Sequence, residues 1–267
     1  MMEFVYFDTD TFHRIGTTFT DKSLNPELRE RILVSPITIL EVLSHLTLKK
    51  NAEILAHIKA VHNWLNPQRV GLLAWPSDAI ARIGFQLDPE ADDFMKRIEN
   101  TINVCLATES PDELRESASQ LKDALDRMKD SSLADFIRLV EMFRKEPLTP
   151  ENFSEVWLHG IAKRVKANPQ SRPVAEVAAS LSAYHEYEEQ KLLVAVKNTS
   201  HKPDKNDIMD SEQLPYLGDP KLHFLTCDGG YEARIKKSPQ LKRIHKVAPN
   251  ELENAEQVEE LLRKITA

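Results

Sequence analysis

The chain has few cysteines, and their positions exclude two kinds of site. Only Cys105 and Cys227 occur among its 267 residues, and they lie far apart in the sequence. Two distant cysteines form neither a disulfide framework nor a thiolate zinc site. This sparse use of cysteine is typical of a reducing compartment, so we expect a cytoplasmic protein.

Glycine and long apolar runs are also scarce. None of the seven glycines is spaced as in the Gly-rich loops that bind dinucleotides or nucleoside triphosphates. No apolar run approaches the roughly twenty residues that are needed to cross a bilayer, and no basic segment followed by an apolar stretch opens the chain. These absences argue against a nucleotide-binding fold and against a membrane partner.

The composition is that of a globular protein with a moderate negative charge. The chain is 41% hydrophobic and 29% charged, with a formal net charge of -7. This balance argues against a surface that binds nucleic acid everywhere, but it allows a local basic path that leads to an acidic site.

The first stretch with a recognisable pattern is the run from Phe4 to Asp10. Four bulky apolar or aromatic residues, Phe4–Phe7, predict a short strand that is buried on both faces. Asp8 follows directly, then Thr9 and Asp10. A single acid at a strand end is most often a turn residue or a helix cap, so its meaning depends on the acids elsewhere in the chain.

The hydrophobic pattern predicts a mixed α/β chain whose middle is helical. We expect a loop from the first strand to Pro26 and then a helix capped by Ser35, with Glu41 at the border of its apolar face. The pattern predicts the following later elements: a helix over 51–66, a strand over 70–75, a helix capped by Ser77, helices over 89–108, 111–129, 132–145, 150–167 and 173–197, a helix from about 206, strands over 223–227 and 244–247, and helices over 231–237 and 250–265.

Several acids are predicted to converge. Asp8 and Asp228 each end a strand, and the carboxyl ends of parallel strands lie along one edge of a sheet. Asp207 and Asp210 are about one helical turn apart, so their side chains project from one helix face. If Glu41 also approaches this edge, the cluster would repel itself unless a divalent cation neutralised it, and oxygen ligands suit Mg²⁺ or Mn²⁺.

The order of these pieces resembles the PIN-domain family of metal-dependent nucleases. That family shows an apolar strand ending in Asp-Thr or Asp-Ser, a Ser-x-x-x-x-x-Glu helix, an Asp on a late helix and a strand ending Thr-x-Asp. The matching segments are 4–9, 35–41, 206–210 and 224–228, and the stretch 72–80 resembles the family's intervening strand and helix. The chain is about twice the usual length of these proteins.

The resemblance implies an α/β fold with three layers and a central parallel sheet, plus a mostly α-helical insertion. Residues 1–85 and 199–267 would form the PIN-like catalytic core, and residues 86–198 would be the insertion. The implied activity is phosphodiester hydrolysis of single-stranded or structured RNA by a Mg²⁺- or Mn²⁺-dependent ribonuclease. The implied metal ligands are Asp8, Glu41, Asp207, Asp210 and Asp228, with Asp210 as a supplement to the other four.

Other residues are predicted to support this chemistry. Asp10 would be an outer ligand, and Thr9 and Thr226 would orient the carboxylates by hydrogen bonds. A basic run without acids follows Asp228 and would either guide a phosphate backbone or form an ordinary solvated face. Its members are Arg234, Lys236, Lys237, Lys242, Arg243 and Lys246.

Two alternatives remain open. A PIN-like chain without activity would act as a scaffold, with the helical insertion as the surface for a protein partner or inhibitor. The segment Phe7 to Thr11 is also similar to the Asp-x-Asp-x-Thr motif of haloacid-dehalogenase-type phosphohydrolases. In that case Asp8 would be a nucleophile and Asp10 an acid/base, although no later lysine motif matches that family.

Overall fold

A computed structural model describes most of the chain. It covers residues 2–19, 24–45, 72–89, 115–200 and 205–267, with single residues between 52 and 59 and between 96 and 107. The side chains of 115–118, 206 and 207 are outside the described set. Most residues of the predicted helices over 51–66 and 89–108, and residues 70–71 of the predicted strand, lie outside the described residues.

The centre of the fold is a parallel sheet of three strands in the order β1-β2-β3. Strand β1 is Phe4–Phe7, β2 is Leu222–Thr226 and β3 is Ile244–Lys246. Phe7 pairs with Leu225, and Thr226 pairs with Lys246. The mixed α/β class with a parallel sheet is thereby confirmed.

Two isolated parallel bridges continue the sheet beyond β1. Val5 bridges to Ile32, and Val34 bridges to Leu72. The segment around 32–34 therefore lies on one side of β1, whereas β2 lies on the other. The chain adds strands first on one side of β1 and later on the other, so the strand order has a switch point between β1 and β2. Such a switch point leaves a crevice outside the carboxyl ends of the two strands.

Helices surround this sheet, and most begin at a polar cap or a first-turn proline. In chain order they are α1 (Thr9–Thr18), α2 (Pro26–Arg29), α3 (Pro36–Ser44), α4 (Pro76–Phe85), α5 (Arg115–Lys145), α6 (Pro150–Arg164), α7 (Val174–Ser180), α8 (Ser182–Lys197), α9 (Lys205–Ser211), α10 (Gly230–Arg234) and α11 (Ala255–Ile265). Short 3₁₀ turns cover Pro215–Gly218, Pro239–Arg243 and Pro249–Leu252.

The alternating side chains of the strands separate two hydrophobic cores. Val5 and Phe7 pack into one core with α1, α3 and α11. Tyr6 and Phe224 pack into the other core with α4, α6, α7 and α8. Because successive strand residues point to opposite faces, helices cover the sheet on both sides.

The predicted loop between β1 and Pro26 is wrong over its first half, which is helix α1. Asp8 caps this helix by accepting a hydrogen bond from the backbone N–H of Thr11. Phe12, Ile15 and Phe19 follow at helical spacing and are buried. The apolar period and the cap were both present in the sequence, and together they favour a helix over a loop.

The predicted break between helices over 111–129 and 132–145 is also wrong, because α5 runs without interruption through Ser131 and Ser132. Its buried residues Leu121, Leu125 and Phe136 continue one face across this point. Serine often caps the start of a helix, so Ser131 and Ser132 suggest a new helix. The apolar stripe buries far more surface and therefore determines the structure.

Other boundaries differ by smaller amounts. The predicted helix over 173–197 divides at Leu181 into α7 and α8. Ser77 lies within α4 instead of capping it, because the helix already begins at Pro76. The last helix is capped by Asn254 and follows a separate 3₁₀ turn.

The described part of the predicted insertion belongs to the same cores as the sheet. Leu121 and Leu125 of α5 lie in the core with β1, whereas Phe136 and Phe143 of the same helix lie in the second core. Helix α5 packs against α3, α8 and α9. The division into a catalytic core of residues 1–85 and 199–267 and an insertion of residues 86–198 stays a prediction, and the described parts of both share these cores.

Candidate functional site

The candidate site lies at the carboxyl ends of β1 and β2, at the switch point of the sheet. Asp8 is the first residue after β1, and Thr226 is the last residue of β2. Since Phe7 and Leu225 are register partners, the two following residues leave the sheet side by side. The predicted convergence of both strand ends is therefore present.

Asp8 accepts hydrogen bonds through both carboxylate oxygens. The backbone N–H of Thr11 donates to Oδ1 at 2.8 Å, and the hydroxyl of Thr226 donates to Oδ2. Burial raises the pKa of Asp8, while the hydrogen bonds from Thr226 and Thr11 act against that rise. Asp8 is thus a helix cap, as its position alone suggests, and it is also a partly buried carboxylate held in one orientation.

Thr226 connects the two strand-end acids. Its hydroxyl is fully buried, donates to Asp8, and accepts the backbone N–H of Asp228 at 2.9 Å. The carboxylate of Asp228 is exposed, and its Oδ1 accepts the N–H of Gly230 at 2.8 Å. The predicted orienting role of Thr226 agrees with these contacts.

Glu41 reaches the site on helix α3. The hydroxyl of buried Thr38 donates to the carbonyl of Phe7 at 2.9 Å and ties this helix to the end of β1. The hydroxyl of Thr9 donates to Glu41 Oε2 at 2.6 Å. Because Thr9 follows Asp8 directly, Asp8 and Glu41 lie on neighbouring segments, and the predicted role of Thr9 also agrees with the contacts.

Helix α9 brings Asp210 to the same region. The hydroxyl of Tyr231 donates to the backbone carbonyl of Asp210 at 3.1 Å. Burial raises the pKa of Tyr231, and the charges of Asp210, Asp8 and Asp228 raise it further. The three acids are therefore close enough to Tyr231 for their charges to act on its hydroxyl. Asp207 belongs to α9, but its side chain is outside the described set.

The described acids do not by themselves form a tight metal-binding group. Among the residues that the structure describes, no set of three or more His, Cys, Asp or Glu side chains could together hold a metal ion. The oxygen donor set itself suits Mg²⁺ or Mn²⁺. What the described contacts provide is two carboxylates, Asp8 and Glu41, that are each oriented by a threonine hydroxyl.

The ion pair that Asp10 forms is with Arg14 on the same helix. Its Oδ2 accepts a hydrogen bond from Arg14 Nε at 2.8 Å, and both side chains are exposed. This pair stabilises the outer face of α1 and gives no support to an acid/base role for Asp10.

The basic run after Asp228 divides into internal and exposed members. Arg243 donates to the backbone carbonyls of Leu217, Asp219 and Leu222, so we assign it a structural role. Arg234 lies over the ring of Tyr187, 5.0 Å from its centroid, and donates to its hydroxyl at 2.7 Å. The four lysines of the run are exposed: Lys236, Lys237, Lys242 and Lys246.

Lys246 is the member that lies beside the acids. A Cβ atom added at Gly229 would lie 2.9 Å from Lys246 Nζ, and one added at Gly230 would lie 3.0 Å from Asp228 Oδ2. Lys246 Nζ therefore lies close to the backbone of the turn that follows Asp228.

Three residues of the site were not predicted from the sequence. Thr38 and Tyr231 hold α3 and α9 in place, and Lys129 Nζ donates to Glu41 Oε1 at 2.9 Å. Gly-Gly before Tyr231 indicated a turn at that point, but no local pattern distinguishes Lys129 from other lysines on a charged helix.

Scans against protein-family models, curated proteins and solved structures found no match for the chain. The functional argument therefore depends on the residues and their geometry. Among the described helices, none combines the length and the apolar character needed to cross a membrane.

Proposed function

We propose that the chain is a PIN-like metal-dependent nuclease that hydrolyses phosphodiester bonds, with RNA as its substrate. The observation that carries this proposal is the pair of threonine links at the sheet switch point. Thr226 joins Asp8 to Asp228, and Thr9 joins the Asp8 turn to Glu41. These contacts link Asp8, Glu41 and Asp228 at one edge of the sheet although the three acids are far apart in sequence. Along the chain, the acids follow the order that the resemblance to the PIN-domain family implies.

Each acid has a distinct place in the proposed chemistry. Asp8 and Glu41 are partly buried, whereas Asp228 is exposed at the rim. Together with Asp207 and Asp210 of α9 they would hold Mg²⁺ or Mn²⁺, which supplies an activated water and neutralises charge on the phosphate. Thr226 and Thr9 keep the carboxylate oxygens oriented.

The exposed lysines supply the proposed path for the nucleic acid. Lys246 lies beside the Asp228 turn, and Lys236, Lys237 and Lys242 are exposed on the segment that leads to it. Ammonium groups at these positions would contact phosphates, so affinity should fall as the salt concentration rises.

The test is cleavage of a labelled single-stranded RNA with and without Mn²⁺. We expect cleavage by the wild type that Asp8→Asn and Asp228→Asn each reduce by at least about 100-fold, because asparagine keeps the size of the side chain but removes the charge. At position 8 the single amide oxygen also keeps only one of the two hydrogen bonds that the carboxylate accepts. Asp10→Asn is the matched control and should retain most of the activity.

A catalytically silent scaffold is the second candidate, and one observation favours it. Lys129 already pairs with Glu41, as a permanent counter-ion would. If the wild type neither binds Mn²⁺ nor cleaves RNA or DNA, this candidate replaces the nuclease. A covalent phosphate analogue trapped on Asp8, together with loss of activity in Asp10→Asn, would instead indicate a phosphohydrolase.

A further inference from the structure

Helix α5 delivers a cation to one of the proposed metal ligands. Lys129 Nζ lies 2.9 Å from Glu41 Oε1, and the two side chains retain only 12% and 21% of their accessible surface. Thr9 donates to the other oxygen of the same carboxylate. Both Glu41 oxygens are therefore engaged by groups of the protein itself.

The environment of this ion pair differs from that of a surface pair on the same helix. Lys122 and Asp126 also contact one another on α5, but their side chains are 40% and 45% exposed. Water screens the surface pair strongly, whereas the pair between Lys129 and Glu41 is shielded, so the attraction between its charges is stronger.

The next residue of α5 makes a parallel contact. Asp130 pairs with Lys205, the first residue of α9 and two positions before Asp207. Adjacent residues of α5 are thereby bound to α3 and to α9, the two helices that carry acids of the proposed site. This helix is positioned to influence the site that both helices serve.

We propose that Lys129 is an internal counter-cation that competes with the divalent metal for Glu41 and so sets the metal affinity of the site. This inference depends on the proposed function, because it concerns regulation of the same carboxylates. When a divalent cation binds Glu41, two like charges would face one carboxylate, and the ammonium must withdraw. The ammonium thereby raises the metal concentration at which the site is half occupied.

The first test measures Mn²⁺ dissociation constants by the electron paramagnetic resonance signal of free Mn²⁺. Lys129→Met retains the length of the side chain without its charge and should bind Mn²⁺ about tenfold more tightly than the wild type. Lys122→Met is the matched control on the same helix and should match the wild type, as should the charge-preserving Lys129→Arg.

The outcomes separate the two proposals. Equal dissociation constants for the wild type and Lys129→Met overturn this inference and leave the nuclease proposal standing. If the wild type and every variant bind no Mn²⁺, both proposals fail. If only Lys129→Met binds Mn²⁺, Lys129 is shown to block the site in the wild type.

A second test uses the wild type alone and does not depend on the folding of a variant. The amines are labelled briefly with an acetylating reagent, with and without Mn²⁺, and each lysine is quantified by mass spectrometry. Withdrawal from Glu41 should raise the labelling of Lys129 several-fold and leave Lys122 unchanged. If Mn²⁺ binds but the labelling of Lys129 stays the same, the inference is wrong.

Discussion

Thr226 is the residue that links the carboxylate of Asp8 to the backbone of Asp228. Its buried hydroxyl donates to Asp8 and accepts from the backbone of Asp228. A valine at this position has the same shape but no hydroxyl, so a buried carboxylate oxygen and a backbone N–H would lose a partner.

We expect Thr226→Val to lower the free energy of unfolding by about 1 to 3 kcal/mol. Thr226→Ser retains the hydroxyl and should recover most of this loss. Urea unfolding followed by circular dichroism measures both variants. A valine variant as stable as the wild type would show that the hydroxyl contributes nothing to the fold.

Two histidines on neighbouring strands give a second prediction at this scale. His223 Nδ1 and His245 Nε2 lie 2.9 Å apart, and His223 Nε2 lies 2.9 Å from Glu3 Oε2. Burial and the charge of His223 lower the pKa of His245 to about 4, and Lys264 adds to this while Glu3 opposes it. Burial also lowers the pKa of His223, with Arg243 adding to this and Glu3 opposing it.

Because the pKa values of these histidines are lowered in the folded protein, the unfolded chain binds protons at a higher pH than the folded protein does. Stability should therefore fall as the pH falls from about 6.5 toward 4. Because His245 is partly exposed, we expect a loss of only about 1 kcal/mol. His245→Gln should show a smaller loss than the wild type in urea unfolding at pH 7 and pH 5. An equal loss in both proteins would contradict this account.

Some of these residues could be predicted from the sequence, whereas others could not. Asp8 and Thr226 could be predicted because each lies at the end of a short apolar run, where the local pattern determines position. Lys129 contacts Glu41 from 88 residues away, and this contact depends on how two helices cross. No spacing along the chain encodes that crossing.

At the scale of the element, helix α5 is the main departure from the predicted pattern. The sequence predicts a helix start at Ser131 and Ser132, whereas the structure places both within one helix, with Ser131 exposed. The two interpretations predict opposite effects of one substitution.

Ser131→Ala should raise the free energy of unfolding by about 0.5 kcal/mol, because alanine is the better residue inside a helix. If Ser131 were instead the cap of a second helix, the same change would cost about 1 kcal/mol. Urea unfolding of the wild type and the variant decides the sign.

The strands were predicted more accurately than the helices. All three strands of the sheet lie within one residue of their predicted bounds, because each contains a short apolar segment next to turn residues. The helix α1 was missed even though Phe12, Ile15 and Phe19 follow the helical period. A helix cap and an apolar stripe are therefore stronger evidence for a helix than a loop-like composition is against it.

At the scale of the whole molecule, the described helical middle and the sheet are packed as one body. Arg164 of α6 forms a bidentate pair with Glu212, with N–O distances of 2.6 and 2.5 Å. Helix α5 contributes to both cores. An insertion that folded separately would lack such shared packing.

We therefore expect one cooperative unfolding transition. Far-ultraviolet circular dichroism follows mainly the helices, and tryptophan fluorescence reports in part on Trp75 of the first core and Trp157 of the second core. Urea midpoints from the two probes should coincide. Two separated transitions would show that residues 86–198 form an independent unit.

The central claim is that the carboxylates at the switch point hold a divalent cation. Its most direct test is a Mn²⁺ titration of the wild type and of Asp8→Asn, with bound metal measured by electron paramagnetic resonance. We predict saturable binding of one or two ions by the wild type and at least about tenfold weaker binding by Asp8→Asn. Unchanged binding in Asp8→Asn, or no binding by the wild type at millimolar Mn²⁺, would contradict the account.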